Sequence, residues 1–227
     1  MNEKKVRTSE LFDCEVPYLK RLFEENEYPW QMLSKIGALA EKLVSEGIEG
    51  FERIADGVIV GRDVVICKNV TLEPPAVIGR GCVLRPGAFV RGNVITGEKC
   101  VIGNSTELKN CILLDRVQVP HYNYVGDSVL GNSVHLGAGA ICSNLKADKS
   151  DVAVKGDKVY KTGVRKFGAA LADFADIGCG CVLNPGTVVG KNTSIYPLVS
   201  VRGVVPEGMI VKNAENSVVR EVRKCAE

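Results

Sequence analysis

Residues 60–119 read VGRDVV ICKNVT LEPPAV IGRGCV LRPGAF VRGNVI TGEKCV IGNSTE LKNCIL LDRVQV, ten consecutive units of six with no remainder. Nine of the ten begin with Val, Ile or Leu, the exception being Thr96. The fifth position is usually small or branched, as at Val64, Ala76, Cys82, Ala88 and Val94, and Gly is frequent at the second and fourth. A period of six cannot be helical, because 3.6 residues per turn does not divide it. Short strands with a turn every sixth residue can use it. Three such units close a triangular coil whose leading aliphatics stack inward from one coil to the next. A β-sandwich with Gly-rich turns would not hold one phase over sixty residues. The expected fold class is an all-β solenoid, a parallel β-helix of hexapeptide repeats.

The frame slips after Pro120: Leu130 opens LGNSVH and LGAGAI ten residues later instead of twelve. It is lost over Lys146–Ala170 and returns as LADFAD IGCGCV LNPGTV VGKNTS IYPLVS VRGVVP, residues 171–206. Within the gap, Asp151–Thr162 alternates around Gly156-Asp157, which predicts a hairpin excursion at about 146–170. Upstream, residues 15–48 place Leu19, Leu22 and Phe23, then Trp30, Leu33, Ile36, Leu39, Ala40 and Leu43 at spacings of three and four. That spacing predicts two amphipathic helices broken near Pro29, read as a cap over the open first coil. The expected organisation is a helical segment at 1–50, a β-helix at 51–206 and a tail at 207–227, with a short helix over Ser217–Glu227.

Composition narrows the function. Lys plus Arg is 29 and Asp plus Glu is 27, so the net charge of +2 gives no basic stripe and no reason to expect nucleic acid. No apolar run reaches the ~18 residues of a membrane span, so no membrane association is expected. Nine cysteines are scattered with no Cys-x-x-Cys pair, which indicates neither a disulfide framework nor a zinc knuckle. With no export signal after Met-Asn-Glu-Lys-Lys, the thiols read as reduced and cytoplasmic. Both histidines, His121 and His135, fall in the stretch where the frame slips, residues 120–144. A regular solenoid collects chemistry where its regularity fails.

That stretch resembles the acetyltransferase domain of the bifunctional glucosamine-1-phosphate acetyltransferase/N-acetylglucosamine-1-phosphate uridyltransferase family, over about Gly79–Gly203. Leu84-Arg85-Pro86-Gly87 looks like the family's phosphate-binding Arg motif, and NSTELK, Asn104–Lys109, like its Asn-x-x-Glu-x-Lys motif. His121-x-x-Tyr124-x-Gly126-Asp127 is similar to its catalytic His segment, and Gly137-Ala138-Gly139 with Asn144 to its cofactor and acyl-carbonyl segment. GVRKFGA, residues 163–169, is closest to archaeal-type and stand-alone members. The resemblance implies a left-handed coil, acetyl-CoA as co-substrate, a homotrimer, and a phosphorylated amino sugar, glucosamine-1-phosphate or galactosamine-1-phosphate, as a cell-envelope precursor. The family's nucleotidyltransferase half has no counterpart among these residues, so no UDP-sugar synthesis from UTP is expected.

The implied roles have physical reasons. Amide formation needs a base to take the amine proton, and an imidazole, titrating near ~6.5, suits His121 to that task. Glu107 would orient the imidazole, and the Asn144 amide would donate to the thioester oxyanion. Arg85 and Lys109 would grip the phosphate, the one as a fork and the other as a point charge. Lys166 would add a third contact, Tyr124 a hydroxyl, and His135 an acceptor-side contact. Ala138, Gly139 and Cys179 would let the pantetheine arm lie against backbone. The bacterial enzymes carry Asn at His135 and Tyr at Leu145, which leaves the acceptor open. A nucleotide-linked amino sugar is the alternative acceptor, and a non-catalytic sugar-phosphate-binding module the alternative class. A zinc site like that of the β-helical carbonic anhydrases needs three histidines, and this chain has two. No metal is expected.

Overall fold

The computed structural model describes residues 5–212 and the two-residue strand Val218–Val219. The chain winds into a left-handed parallel β-helix with three faces. One face stacks Val58–Gly61, Ala76–Ile78, Val94–Thr96, Ala169–Leu171 and Thr187–Val189. A second stacks Thr71–Glu73, Phe89–Arg91, Ile141–Cys142, Val182–Leu183 and Ser200–Val201. Two longer strands, Glu107–Leu113 and Tyr124–Leu130, run across the corner between these faces and belong to both. The third face runs from Val65–Ile66 through Val101–Asn104, Gln118–His121 and His135–Leu136 to Ile210–Val211. It therefore continues past 206, and Val218–Val219 pairs antiparallel with its last strand. The rest of the expected tail helix lies outside the described residues.

The inward ladder contains Ile78, Leu84, Val90, Ile102 and Leu108, all fully buried. Each such side chain contributes about 1.5–3 kcal/mol by leaving water. The register corrects the sequence frame. Val58, Ala76 and Val94 stand above one another eighteen residues apart, but Val94, Cys111 and Ser128 are seventeen apart. Thr96 therefore pairs Leu113, not Leu114. Leu113 lies in the inner core, and Leu114 packs in the outer cluster. The frame slips ten residues before Pro120. The physical reason is a corner: Gly92 and Asn93 turn it in one coil, whereas Asn110 (φ 48°) and then Asp127 (φ 47°) each turn it alone. Asn and Asp are among the few non-glycine residues that tolerate left-handed backbone.

Helices occupy Pro17–Glu24 and Ile36–Glu46, with a 3-10 turn at Pro29–Gln31 between them. They do not lie over the open first coil, where Val65 and Ile66 remain exposed. Instead Ile36, Ala40 and Val44, one helical stripe, pack along the first face against its outward residues Ile59, Val77, Ile95 and Ile112. Strands there are buried on both sides. The excursion forms an antiparallel hairpin, Ala153–Lys155 with Val159–Lys161. Trp30 ties it down, with ring centres 6.0 Å from Tyr160 and 5.9 Å from Phe167. No helix of the described residues is long and apolar enough to cross a membrane.

Candidate active site

The single-residue corners carry a polar cluster at the edge of the second face. The Asp127 carboxylate, 7% exposed in its side chain, accepts from Lys109 Nζ at 3.3 Å, Asn110 Nδ2 at 2.9 Å and Asn144 Nδ2. Asn144 Nδ2 also donates to the Tyr124 hydroxyl at 3.2 Å. These contacts follow from register: Lys109 pairs Gly126, and Tyr124 sits between Glu107 and Ile141 on neighbouring coils. Gly126 leaves room for the cluster: a Cβ there would fall 2.4 Å from the Tyr124 hydroxyl and 2.8 Å from Asn144 Nδ2 and would push these side chains aside. Burial, reinforced by the Glu107 and Asp127 carboxylates, raises the Tyr124 pKa and keeps it a phenol. The returning segment closes on the same place. Phe167 N donates to Asn144 O at 3.0 Å, and Gly168 N to Asp127 O at 2.8 Å. Lys166 bridges Leu145 across this seam, with its side chain exposed.

His121 stands at the opposite corner of the second face, ending the third-face strand Gln118–His121 before the turn at Tyr122. Its peptide N–H donates to Asn123 Oδ1 at 3.1 Å, and the buried Asn123 donates inward to Gly137 O at 2.8 Å. His121 O accepts from Gly139 N at 3.0 Å, and Gly180 N donates to Ala138 O at 2.8 Å. Ala138, Gly139 and Cys179 thus stack directly above His121 as one strip of corner backbone. Gly139 (φ 71°) has open space around its missing Cβ, and a Cβ at Gly137 would fall 2.6 Å from Cys179 N. The Ala138 and Cys179 N–H groups make no backbone hydrogen bond among the described residues.

Two expected contacts are corrected. Glu107 does not hold His121; its carboxylate pairs with Arg91 at 2.8 Å, one coil below. Both N–H bonds of the Asn144 amide are committed, to Asp127 and Tyr124, so as it stands it has none to give a thioester oxygen. His135 lies on the third face with Nδ1 2.9 Å from Asp176 Oδ1, away from the Asp127 cluster. Arg85, half-buried at the corner two coils below Pro120, has no hydrogen bond or ion pair on its guanidinium among the described residues.

Sequence reasoning did not single out Asp127, Asn110 or Asn123. Asp127 stood in the quoted His segment, and its role depends on partners seventeen residues to either side. It also missed a cleft of about 520 Å³ between the hairpin and the coil, lined by Lys146, Lys155, Asn184 and Arg202. Among the described residues no group of three His, Cys, Asp or Glu could hold a metal ion.

Residues 72–164 match the family model of the GMPPB C-terminal domain. The chain is 33% identical over 198 residues to the bifunctional protein GlmU of Methanococcus vannielii, covering 85% of this chain and 47% of that protein. It is 32% identical over 175 residues to the bifunctional sugar-1-phosphate nucleotidylyltransferase/acetyltransferase of Sulfurisphaera tokodaii, covering 74% and 43%. The chain therefore spans about half the length of these relatives. Among solved structures, the acetyltransferase domain of PglB from Neisseria gonorrhoeae is similar at a TM-score of 0.40 and 20% identity, over 65% of this chain and 53% of that one.

Proposed function

The chain is a homologue of the acetyltransferase half of the bifunctional GlmU proteins, and from that relationship we propose that it transfers the acetyl group of acetyl-CoA to the amine of an amino sugar 1-phosphate, with glucosamine-1-phosphate or galactosamine-1-phosphate as acceptor. One observation carries the reading: a half-buried Lys109–Asn144–Tyr124 cluster around the buried Asp127 carboxylate and an exposed histidine beneath a backbone strip occupy the two corners of one face. In this reaction the amine nitrogen attacks the thioester carbonyl, His121 takes the amine proton, and the CoA thiol leaves as the amide forms. Arg85 and Lys109 bind the phosphate. Tyr124 meets the sugar, Lys166 reaches in from the returning segment, and His135, one coil above Gln118, stands on the His121 side of the acceptor. With the Asn144 N–H bonds committed, the oxyanion falls to backbone donors on the strip, those of Ala138 and Cys179.

The separation of His121 from Asn144 within one chain supports a trimer in which neighbouring coils complete each site, with Glu107 facing a neighbour's groups. An acetyl-CoA donor and reduced thiols fit work in the cytoplasm. A second reading, a nucleotide-linked amino sugar as acceptor, is favoured by the Lys146, Lys155 and Arg202 cleft beside Asn144, which can take further phosphate charge. Thiol release from acetyl-CoA, followed against amino sugars with a free anomeric hydroxyl, a 1-phosphate or a nucleoside diphosphate, separates the two. Release with none of them leaves a sugar-phosphate-binding module.

A further inference from the structure

Asn144 has a carboxamide whose two ends do opposite things: the nitrogen only donates and the oxygen only accepts. Which end meets a ligand depends on what holds the other. The carboxylate of Asp127 cannot donate, so the Asn144 nitrogen must face it, and the Tyr124 hydroxyl takes the second N–H. The oxygen Oδ1 is then the end left to accept from a ligand, and no donor among the described residues reaches it. Asp127 is itself fixed three ways. Lys109 and Asn110 donate to it, its backbone turns the corner alone at φ 47°, and Gly168 N donates to its carbonyl. Its side chain is 7% exposed, so this hold is a charge-assisted hydrogen bond shielded from water.

We propose that Asp127 is a positioning residue that acts through Asn144, fixing the carboxamide with Oδ1 toward the acceptor amine, where it accepts one amine N–H and aims the nitrogen lone pair at the thioester carbon. The inference rests on the acetyl-transfer reading and adds a residue to it. Asp127→Asn keeps the volume but offers a carbonyl or an N–H to Asn144 indifferently, so the carboxamide loses its set direction. Lys109, released from its ion pair, keeps its charge for the phosphate.

The test is a double-mutant cycle in the full-length protein with the best acceptor of the thiol-release panel. Asp127→Asn lowers kcat about 10- to 100-fold, the factor matching one charge-assisted hydrogen bond, while KM for the sugar phosphate stays the same or falls. Asn144→Ala lowers kcat alike, and Asp127→Asn added to Asn144→Ala costs nothing more. Equal losses from Asp127→Asn with and without Asn144 would mean a merely structural residue and overturn the proposal, as would a rise in KM with kcat kept. A second measurement does not need turnover. In ¹⁵N-labelled protein the Asn144 side-chain amide gives two slowly exchanging proton signals, which Asp127→Asn shifts toward the averaged, fast-exchanging pattern of a free carboxamide. Unchanged signals would overturn the proposal even if no acceptor is ever turned over; a wild type that transfers no acetyl group, with the signals behaving as stated, rejects the acetyl-transfer reading alone.

Discussion

The Asn110 side-chain amide donates to the Asp127 carboxylate at 2.9 Å, joining the two residues that each turn a corner of the coil alone. The shortened coils and the polar cluster are thus one feature. Removing a residue from each corner brings the corner side chains of successive coils into contact, and Asn110 also reaches Leu33 O at 3.3 Å to tie in the helical segment.

Asn110→Ala should therefore destabilise by about 2–4 kcal/mol, combining strained left-handed backbone with a buried carboxylate short of a donor. Asn110→Gly relieves the backbone and should cost less. Urea unfolding of the two variants checks the order; an Ala variant as stable as the Gly variant would remove the corner argument.

The proposed phosphate contact and the proposed base should separate in kinetics. His121→Ala should lower kcat by about 10²–10⁴-fold with little change in KM, the usual worth of a positioned proton acceptor. Arg85→Ala should raise KM for the phosphorylated sugar and weaken discrimination against the unphosphorylated one. If His135→Ala abolished turnover and His121→Ala did not, the base would be the other histidine.

Much of this was legible in the sequence, and the exceptions have a common cause. The hexad leaders named the inward ladder, whereas the outward Ile59, Val77 and Ile95, which the helical segment covers, went unread. The helical segment reads correctly as amphipathic, but spacing along one helix says nothing of which surface receives it. Leu113 and Leu114 are both Leu, so a one-residue slip between them leaves no compositional trace. The Asn144 position follows from motif spacing. The direction of its amide does not, because that is set by Asp127 seventeen residues away, and Glu107 pairs with Arg91 sixteen residues back. Contacts between coils depend on coil length, which the slip had disguised.

Assembly gives an independent check. On the proposed assembly, this chain of 24.4 kDa should scatter light as a trimer of about 73 kDa, three times that mass, at micromolar concentration. A monomer would leave His121 and Asn144 on separate corners with nothing to bridge them.

Stability at alkaline pH tests the core. Burial pushes the Cys142 thiol from 9.0 up to about 12, so the folded chain holds it neutral while the unfolded chain ionises it. A raised folded pKa leaves its stability intact below pH 9 and removes it as pH climbs from 9 to 12, by about 1.4 kcal/mol per pH unit. Burial raises the Cys14, Cys100, Cys111 and Cys181 thiols as well, so Cys142→Ala should remove its own share of that slope and leave the rest; an identical slope in the variant would show that Cys142 does not contribute.

The acetyl-transfer reading stands most directly on a single comparison: the rate at which the purified protein forms the N-acetyl product from acetyl-CoA with glucosamine-1-phosphate and with glucosamine. The account predicts amide formation on the phosphorylated sugar, free CoA released in equal amount, and a much lower kcat/KM for the unphosphorylated one. Equal rates on both sugars, or no product from either, would contradict it.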